Sequence, residues 1–161
     1  MIYDWRSSMN SLINCVIYII VSGLVIFILG RLFPRKWIKE SKFPFKAFKI
    51  ENNGKLYDKI NIRKWKTKLP DASLIITKFI PNFMPKKRID NKYKSKDNTK
   101  ILIKETCIAE INHFLAGITG LYCIKIWNGT GGLVVSLLYL LWNMPFILIQ
   151  RYNRPRLVKL K

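Results

Sequence analysis

Residues 103–114, IKETCIAEINHF, carry the side chains with the most chemical potential in this chain: Glu105, Glu110, the hydroxyl of Thr106 and the only histidine, His113. Placed on an α-helix, these four fall with Ala109, Ala116 and Gly117 inside a sector of about 140°. The opposite side carries Cys107, Ile108, Ile111, Phe114, Leu115 and Ile118, which suits lipid or apolar packing. Glu110 and His113 are three apart, a spacing that permits a hydrogen bond along one face. A carboxylate that accepts one imidazole N–H orients the other nitrogen as a base and stabilises the imidazolium that forms. Glu105 lies about 12 Å nearer the helix start than His113. The plainer alternative is a packing histidine, with the two acids paired to Lys104, Arg151 or Arg154. A Glu-x-x-His metal site in a bundle needs two such motifs and further carboxylates. With one histidine, neither a metal nor a cofactor is expected.

Such a face needs helices around it, and the uncharged runs supply them. Residues 7–30 carry no charge, with an apolar core at 12–29. A helix needs about 20 apolar residues to cross ~30 Å of hydrocarbon. A cleaved signal peptide has an apolar core of about 7–15 residues ending at small residues. This core is longer and runs into Gly30-Arg31-Leu32, so it reads as an uncleaved anchor. Residues 126–150 form a second uncharged run, with Pro145 inside its core. A membrane helix tolerates proline when neighbours satisfy the freed carbonyl. Residues 128–132, NGTGG, read as a turn and lack the Lys-Ser/Thr ending of a phosphate loop. Residues 111–124 are uncharged but short for a span, so they form either a crossing or half of a re-entrant hairpin.

The distribution of charge orients these segments. The formal net charge is +20. Residues 31–104 hold 22 Lys/Arg against 6 Asp/Glu, and the tail after Gln150 holds five basic residues and no acid. Basic loops stay in the cytoplasm, so loop and tail share a side and an even number of crossings separates them. The fold class is therefore all-α: an integral membrane protein with about three transmembrane helices and an interfacial basic cytoplasmic loop. Its single domain, 1–161, divides into a first helix (11–30), the basic loop (31–104), a second helix (105–126), a third (132–150) and a basic tail (151–161). The N-terminus lies outside, and the multi-pass chain belongs in the cell membrane. Ionisable groups at membrane depth are costly and face a cavity or a partner, which makes the Glu105–His113 face a candidate site. Cys15, Cys107 and Cys123 have no disulfide or zinc spacing and read as reduced, apolar packers.

The loop interleaves lysines with aromatics such as Trp37, Phe45, Tyr57 and Trp65. That composition suits nucleic acid or a headgroup-level surface. Bounded by membrane helices, it favours membrane lipids and no nucleic acid. Residues 57–71 form an ordered piece, and 74–84 suit a short interfacial helix broken at Pro81. Residues 86–100 read as polar and mobile. After the last apolar run come Gln150, Arg151, Tyr152, Asn153, Arg154, Pro155 and Arg156. Guanidinium forks suit phosphates and carboxylates, although a positive-inside anchor alone explains the charge.

Taken together, Arg63-Lys64-Trp65-Lys66 with Asp71, Glu105-Thr106 with Ala109-Glu110 and His113, and Asn143 and Pro145 followed by Gln150–Leu157 resemble the glycosyl-4,4'-diaponeurosporenoate acyltransferases. These are small membrane enzymes of staphyloxanthin carotenoid biosynthesis. The resemblance runs through most of the chain after Phe43. It departs at Phe114, where the family has Trp, and at 86–100. It implies transfer of a fatty acyl chain to the C6 hydroxyl of a carotenoid-bound glucose or a similar glycolipid. The resemblance brings no catalytic residues with it; the helix face supplies the candidates, with His113 as general base, Glu110 as its holder and Glu105 binding or orienting the sugar. Thr106, Arg63, Lys64, Trp65, Lys66, Asp71, Asn143 and residues 150–154 with Arg156 become substrate-binding candidates. The partners are a fatty acyl donor, acyl-CoA, and a glycosylated lipid acceptor. The competing reading is a non-enzymatic membrane protein that binds anionic lipid or a partner through its loop.

Overall fold

The computed structural model describes residues 5–70, 77–78 and 96–160, apart from the side chains of 52–54 and 96. Asp71, the 74–84 interfacial helix (Thr77 and Lys78 excepted) and most of the 86–100 stretch lie outside the described residues. The regular elements among the described residues are all helical, with no strand. Helix α1 spans Trp5–Leu32, α2 Lys55–Lys59, α3 Ile62–Trp65, α4 Lys96–Gly120, α5 Cys123–Ile126 and α6 Thr130–Val158. Short 3-10 turns at Arg35–Trp37, Lys49–Gly54 and Lys66–Lys68 shape the loop. Three helical stretches are long and apolar enough to cross a membrane: Trp5–Leu32, Asp97–Ile126 and Thr130–Val158.

Helix boundaries differ from the limits drawn from charge. Helix α4 begins at Lys96, nine residues before Glu105. Asp97 sits in its first turn, favoured by the helix dipole, and pairs with Lys100 at 2.9 Å. Helix α6 runs on past Gln150 to Val158, so most of the basic tail is helical. The charge pattern marks where apolar solvent ends; it does not stop a helix whose next side chains find partners. Helix α6 also passes unbroken through Pro145. Of the glycines in the expected 128–132 turn, only Gly129 has a positive φ, +95°. Gly131 and Gly132 already belong to α6. A Cβ on Gly132 would meet the backbone oxygens of Trp127 and Cys123, so that glycine is there for close approach.

The chain forms two compact units, Met1–Phe33 with Ile108–Ile147, and Pro34–Cys107 with Leu148–Lys161. Helices α4 and α6 contribute to both. In the first unit, α1 packs on α5 around two buried thiols. Cys15 Sγ donates to Cys123 O at 3.8 Å and Cys123 Sγ to Cys15 O at 4.0 Å. All three cysteines are buried and unbridged. The end of α4 leaves carbonyls without helical partners, which hydrocarbon does not tolerate. Side chains satisfy them: Tyr18 OH donates to Thr119 O at 3.1 Å, and Ser136 Oγ to Gly120 O at 3.1 Å. Buried Gly117 and Gly120 lie against Leu140 and Tyr139, and Gly30 against Asn112, the small-residue contacts that let membrane helices approach. Phe114, Leu115 and Ile118 are exposed on the opposite face of α4, as the helical periodicity predicts.

In the second unit, Tyr57, Ile62 and Tyr152 form a buried core with Trp65, Leu148 and Ile149 around it. Tyr57 and Tyr152 meet edge to face with ring centroids 6.3 Å apart. Burial, together with Glu51, pushes the Tyr57 phenol up to about 12.

Candidate active site and basic groove

His113 lies in the first unit, partly buried, with its ring stacked on Phe146 at 4.7 Å and 12°. Its Nδ1 is 3.1 Å from Asn143 Oδ1. The amide is fixed from its other end, because Asn143 Nδ2 donates to Tyr139 O at 2.9 Å. That bond assigns the amide nitrogen, leaving Oδ1, an acceptor only, toward the imidazole. Nδ1 therefore carries the proton of neutral His113, and Nε2 keeps a lone pair. The group that meets Nδ1 is thus an amide from α6, thirty residues away, not a carboxylate one turn back. Asn143 and Glu110 are both buried. Phe146, one turn beyond Asn143 on α6, and Tyr139, one turn before it, were not among the sequence candidates. Their i+3 and i−4 spacing to Asn143 is the signal that would have found them.

The remaining sequence candidates gather in the second unit, where their roles diverge. Glu105 Oε1 accepts from Arg35 Nε at 3.0 Å. Thr106 Oγ1 donates to Ile103 O at 2.6 Å and accepts from Arg154 Nε at 3.2 Å. Arg154 also donates to Phe45 O at 2.8 Å and Thr106 O at 3.3 Å. Arg151 pairs with Glu51 at 2.7 Å and donates to Pro44 O and Lys46 O at 3.2 and 3.3 Å. Both arginines are buried. These bonds tie them to the chain around residues 44–51, and both also line a pocket with Glu40, Phe45 and Glu51.

Arg63, Lys66, Tyr152 and Arg156 instead line an open groove of about 510 Å³, with Asp58 and Thr67. Lys66 Nζ donates to Asn153 Oδ1 at 3.2 Å and lies 4.8 Å from the centre of the Tyr152 ring. The Arg156 guanidinium lies 3.6 Å over the same ring and pairs with Asp58 at 2.8 Å. Burial, followed by the nearby Arg156 and Arg63, holds the Lys66 ammonium below its ordinary pKa. Lys64 is exposed, and Trp65 Nε1 donates to Ile60 O at 2.9 Å. Gln150 is partly buried. Asp58 and Thr67 are groove residues that the sequence reading missed; no local pattern marks them. Among the described residues no cluster of His, Cys, Asp and Glu could hold a metal ion.

Three helices of membrane-crossing length place the chain among helical membrane proteins. Residues 34–161 match the family described as glycosyl-4,4'-diaponeurosporenoate acyltransferase. Proteins of that name from Staphylococcus aureus strains N315 and USA300 are each 31% identical over 150 residues, covering 91% of this chain and 85% of the relative. No solved structure matches the chain. The chain belongs to the glycosyl-4,4'-diaponeurosporenoate acyltransferase family, and it is an acyltransferase. The non-enzymatic reading is thereby set aside.

Proposed function

We propose that the protein transfers a fatty acyl group from acyl-CoA to a sugar hydroxyl, the C6 hydroxyl of a glycosylated carotenoid or a similar glycolipid, with His113 as general base. The family supports acyl transfer. The observation that carries the role of His113 is its Nδ1 contact with Asn143 Oδ1, which leaves Nε2 as the basic nitrogen. Nε2 accepts the hydroxyl proton as the sugar oxygen attacks the thioester carbonyl. The tetrahedral intermediate then collapses, the C–S bond breaks, and the departing thiolate takes the proton from the imidazolium. Glu110, buried one turn before His113, stabilises the imidazolium charge, and Glu105 with Arg35 orients the sugar through its remaining lone pairs.

Arg63, Lys64, Lys66 and Arg156 serve the donor's phosphates, with Asn153 and Tyr152 positioning Lys66. Trp65, Gln150 and Asp71 complete the substrate-binding set by resemblance, whereas Thr106, Arg151 and Arg154 support it by fixing the loop. The N-terminus lies outside, and the basic loop and tail face the cytoplasm and its membrane lipids, following the distribution of positive charge. The test is mass spectrometry of lipid extracts from carotenoid-glycoside-producing cells with wild-type protein or His113→Ala. The acylated glycolipid is expected with wild type and absent with the variant at equal membrane abundance. Normal ester formation by the variant would overturn the assignment of the base.

A further inference from the structure

We infer that the Arg63–Lys66–Arg156 groove is a binding site for a phosphate-bearing ligand, with the Asp58 carboxylate as its internal competitor; as the donor site, this deepens the acyl-CoA reading above. The cations come from separate pieces of chain. Arg63 lies on α3, Lys66 on the 3-10 turn that follows, and Arg156 on the last turns of α6. They converge on one concavity whose wall is the buried Tyr152 ring. Among the described residues, three cations on this groove face one carboxylate, Asp58, and Arg63 has no hydrogen-bond partner.

Burial, and then the like charges of Arg156 and Arg63, lower the pKa of Lys66, so gathering these cations here costs free energy. The cost is kept because the pieces are fixed. Tyr152 packs edge-on against Tyr57, Lys66 is tied to Asn153, and Arg156 NH1 donates to Tyr152 O at 3.0 Å. The Arg156 guanidinium sits 3.6 Å over the Tyr152 ring with NH2 donating to the exposed Asp58 carboxylate, a bond that a phosphate oxygen can take over. Arg151 and Arg154 provide the contrast, since their bonds go to backbone carbonyls, Thr106 and Glu51. The Arg156–Asp58 pair is exposed, so an incoming phosphate can displace the carboxylate at small cost.

Phosphate has two sources here, a soluble carrier such as coenzyme A and a lipid headgroup, and the experiment separates them. Full-length protein in nanodiscs is titrated with coenzyme A and with inorganic pyrophosphate. In a second arm, the enrichment of phosphatidylglycerol over phosphatidylcholine around the protein is measured. Lys66→Gln and Arg156→Gln are each expected to weaken binding about tenfold, as for loss of a charge-assisted hydrogen bond. Asp58→Asn is expected to tighten it roughly two- to fivefold; a gain cannot come from misfolding. Lys159→Gln, on the exposed tail, changes little. Changes confined to coenzyme A and pyrophosphate assign the groove to a soluble donor; changes confined to phosphatidylglycerol assign it to a headgroup. Equal binding by wild type and both glutamine variants in both arms overturns the site. His113→Ala keeps wild-type binding, so failure of the base assignment and failure of the groove are separately visible.

Discussion

Asn143 Oδ1 lies 3.1 Å from His113 Nδ1 while the same amide donates to Tyr139 O, so one side chain on α6 fixes both the tautomer and the direction of an imidazole on α4. Asn143→Ala removes that acceptor and allows the Nε2–H tautomer, which cannot act as a base at Nε2. Loss of the tautomer-fixing group in a comparable serine-protease arrangement costs about 10⁴ in kcat. Here the expected loss is about 10- to 1,000-fold in kcat with a small change in KM, because the partner is a neutral amide. Asn143→Asp keeps an acceptor and is expected to retain far more activity than the alanine variant. Steady-state kinetics on both variants checks it, and equal losses would count against the tautomer argument.

How much of this was legible in the sequence follows from what spacing can encode. Two long apolar stretches stood out because hydrocarbon excludes charge, and the shorter 111–124 run counted as a crossing only because the basic loop and tail share a side. The Glu105–His113 face stood out because neighbours on one helix recur at fixed intervals. Asn143 was chosen by resemblance, but its partnership with His113 was not visible, since no local period links residues thirty apart. The same limit explains the arginines. Arg151, Arg154 and Arg156 are identical as residue types, yet two are buried among carbonyls, Thr106 and Glu51, and one opens onto the groove. The continuation of α6 past Gln150 was hidden for the same reason, because the partners that retain Arg151 and Arg154 lie about a hundred positions earlier.

Arg151 and Glu51 form a buried pair at 2.7 Å, with side chains only 8% and 5% exposed. Arg151→Ala removes the donors to the Pro44 and Lys46 carbonyls and the charge partner of the Glu51 carboxylate, leaving that carboxylate the Tyr57 hydroxyl. The expected cost is about 3–5 kcal/mol, the range for removing one partner of a buried pair. Replacing both residues, Arg151→Met with Glu51→Leu, is expected to recover much of that loss. Thermal unfolding in detergent, followed by Trp fluorescence, compares the two. If the double variant is no more stable than Arg151→Ala, the stranded charge is not the main cost.

Anion binding in the groove should depend on pH through Lys66. Its folded pKa is lowered by burial, Arg156 and Arg63. A phosphate restores that pKa upward, so binding is strongest where Lys66 is already protonated. Affinity for pyrophosphate therefore falls as pH rises through the lowered value toward 10.5. The other groups facing Lys66 are Asp58, Arg63, Tyr152 and Arg156. Tyr57, packed against Tyr152, has its phenol pushed up to about 12. Lys66→Arg keeps the charge at every pH and is expected to flatten the profile. For stability the sign is the opposite: the unfolded chain binds the Lys66 proton more tightly, so this group adds stability as pH rises through the same window.

Helix approach in the first unit sets the last expectation. A Cβ on Gly117 would meet Leu140 Cδ1 at 2.9 Å, the far end of a flexible side chain. A Cβ on Gly120 would meet the Tyr139 ring, and Tyr139 has less freedom. Its carbonyl receives the Asn143 amide, and its ring is partly buried. Gly117→Ala is therefore expected to be mild, because Leu140 can change rotamer. Gly120→Ala forces α4 and α6 apart or turns the ring, at about 1–3 kcal/mol for overpacking. Either response displaces the backbone from which Asn143 reaches His113. Gly120→Ala should thus lower kcat as well as melting temperature, whereas Gly117→Ala should leave kcat within about threefold. A destabilised Gly120→Ala enzyme with normal kcat would show that the contact supports the fold alone. A Gly120→Ala, Tyr139→Leu double variant provides the cross-check. It relieves the clash while keeping the carbonyl that Asn143 needs, and is expected to recover both stability and rate.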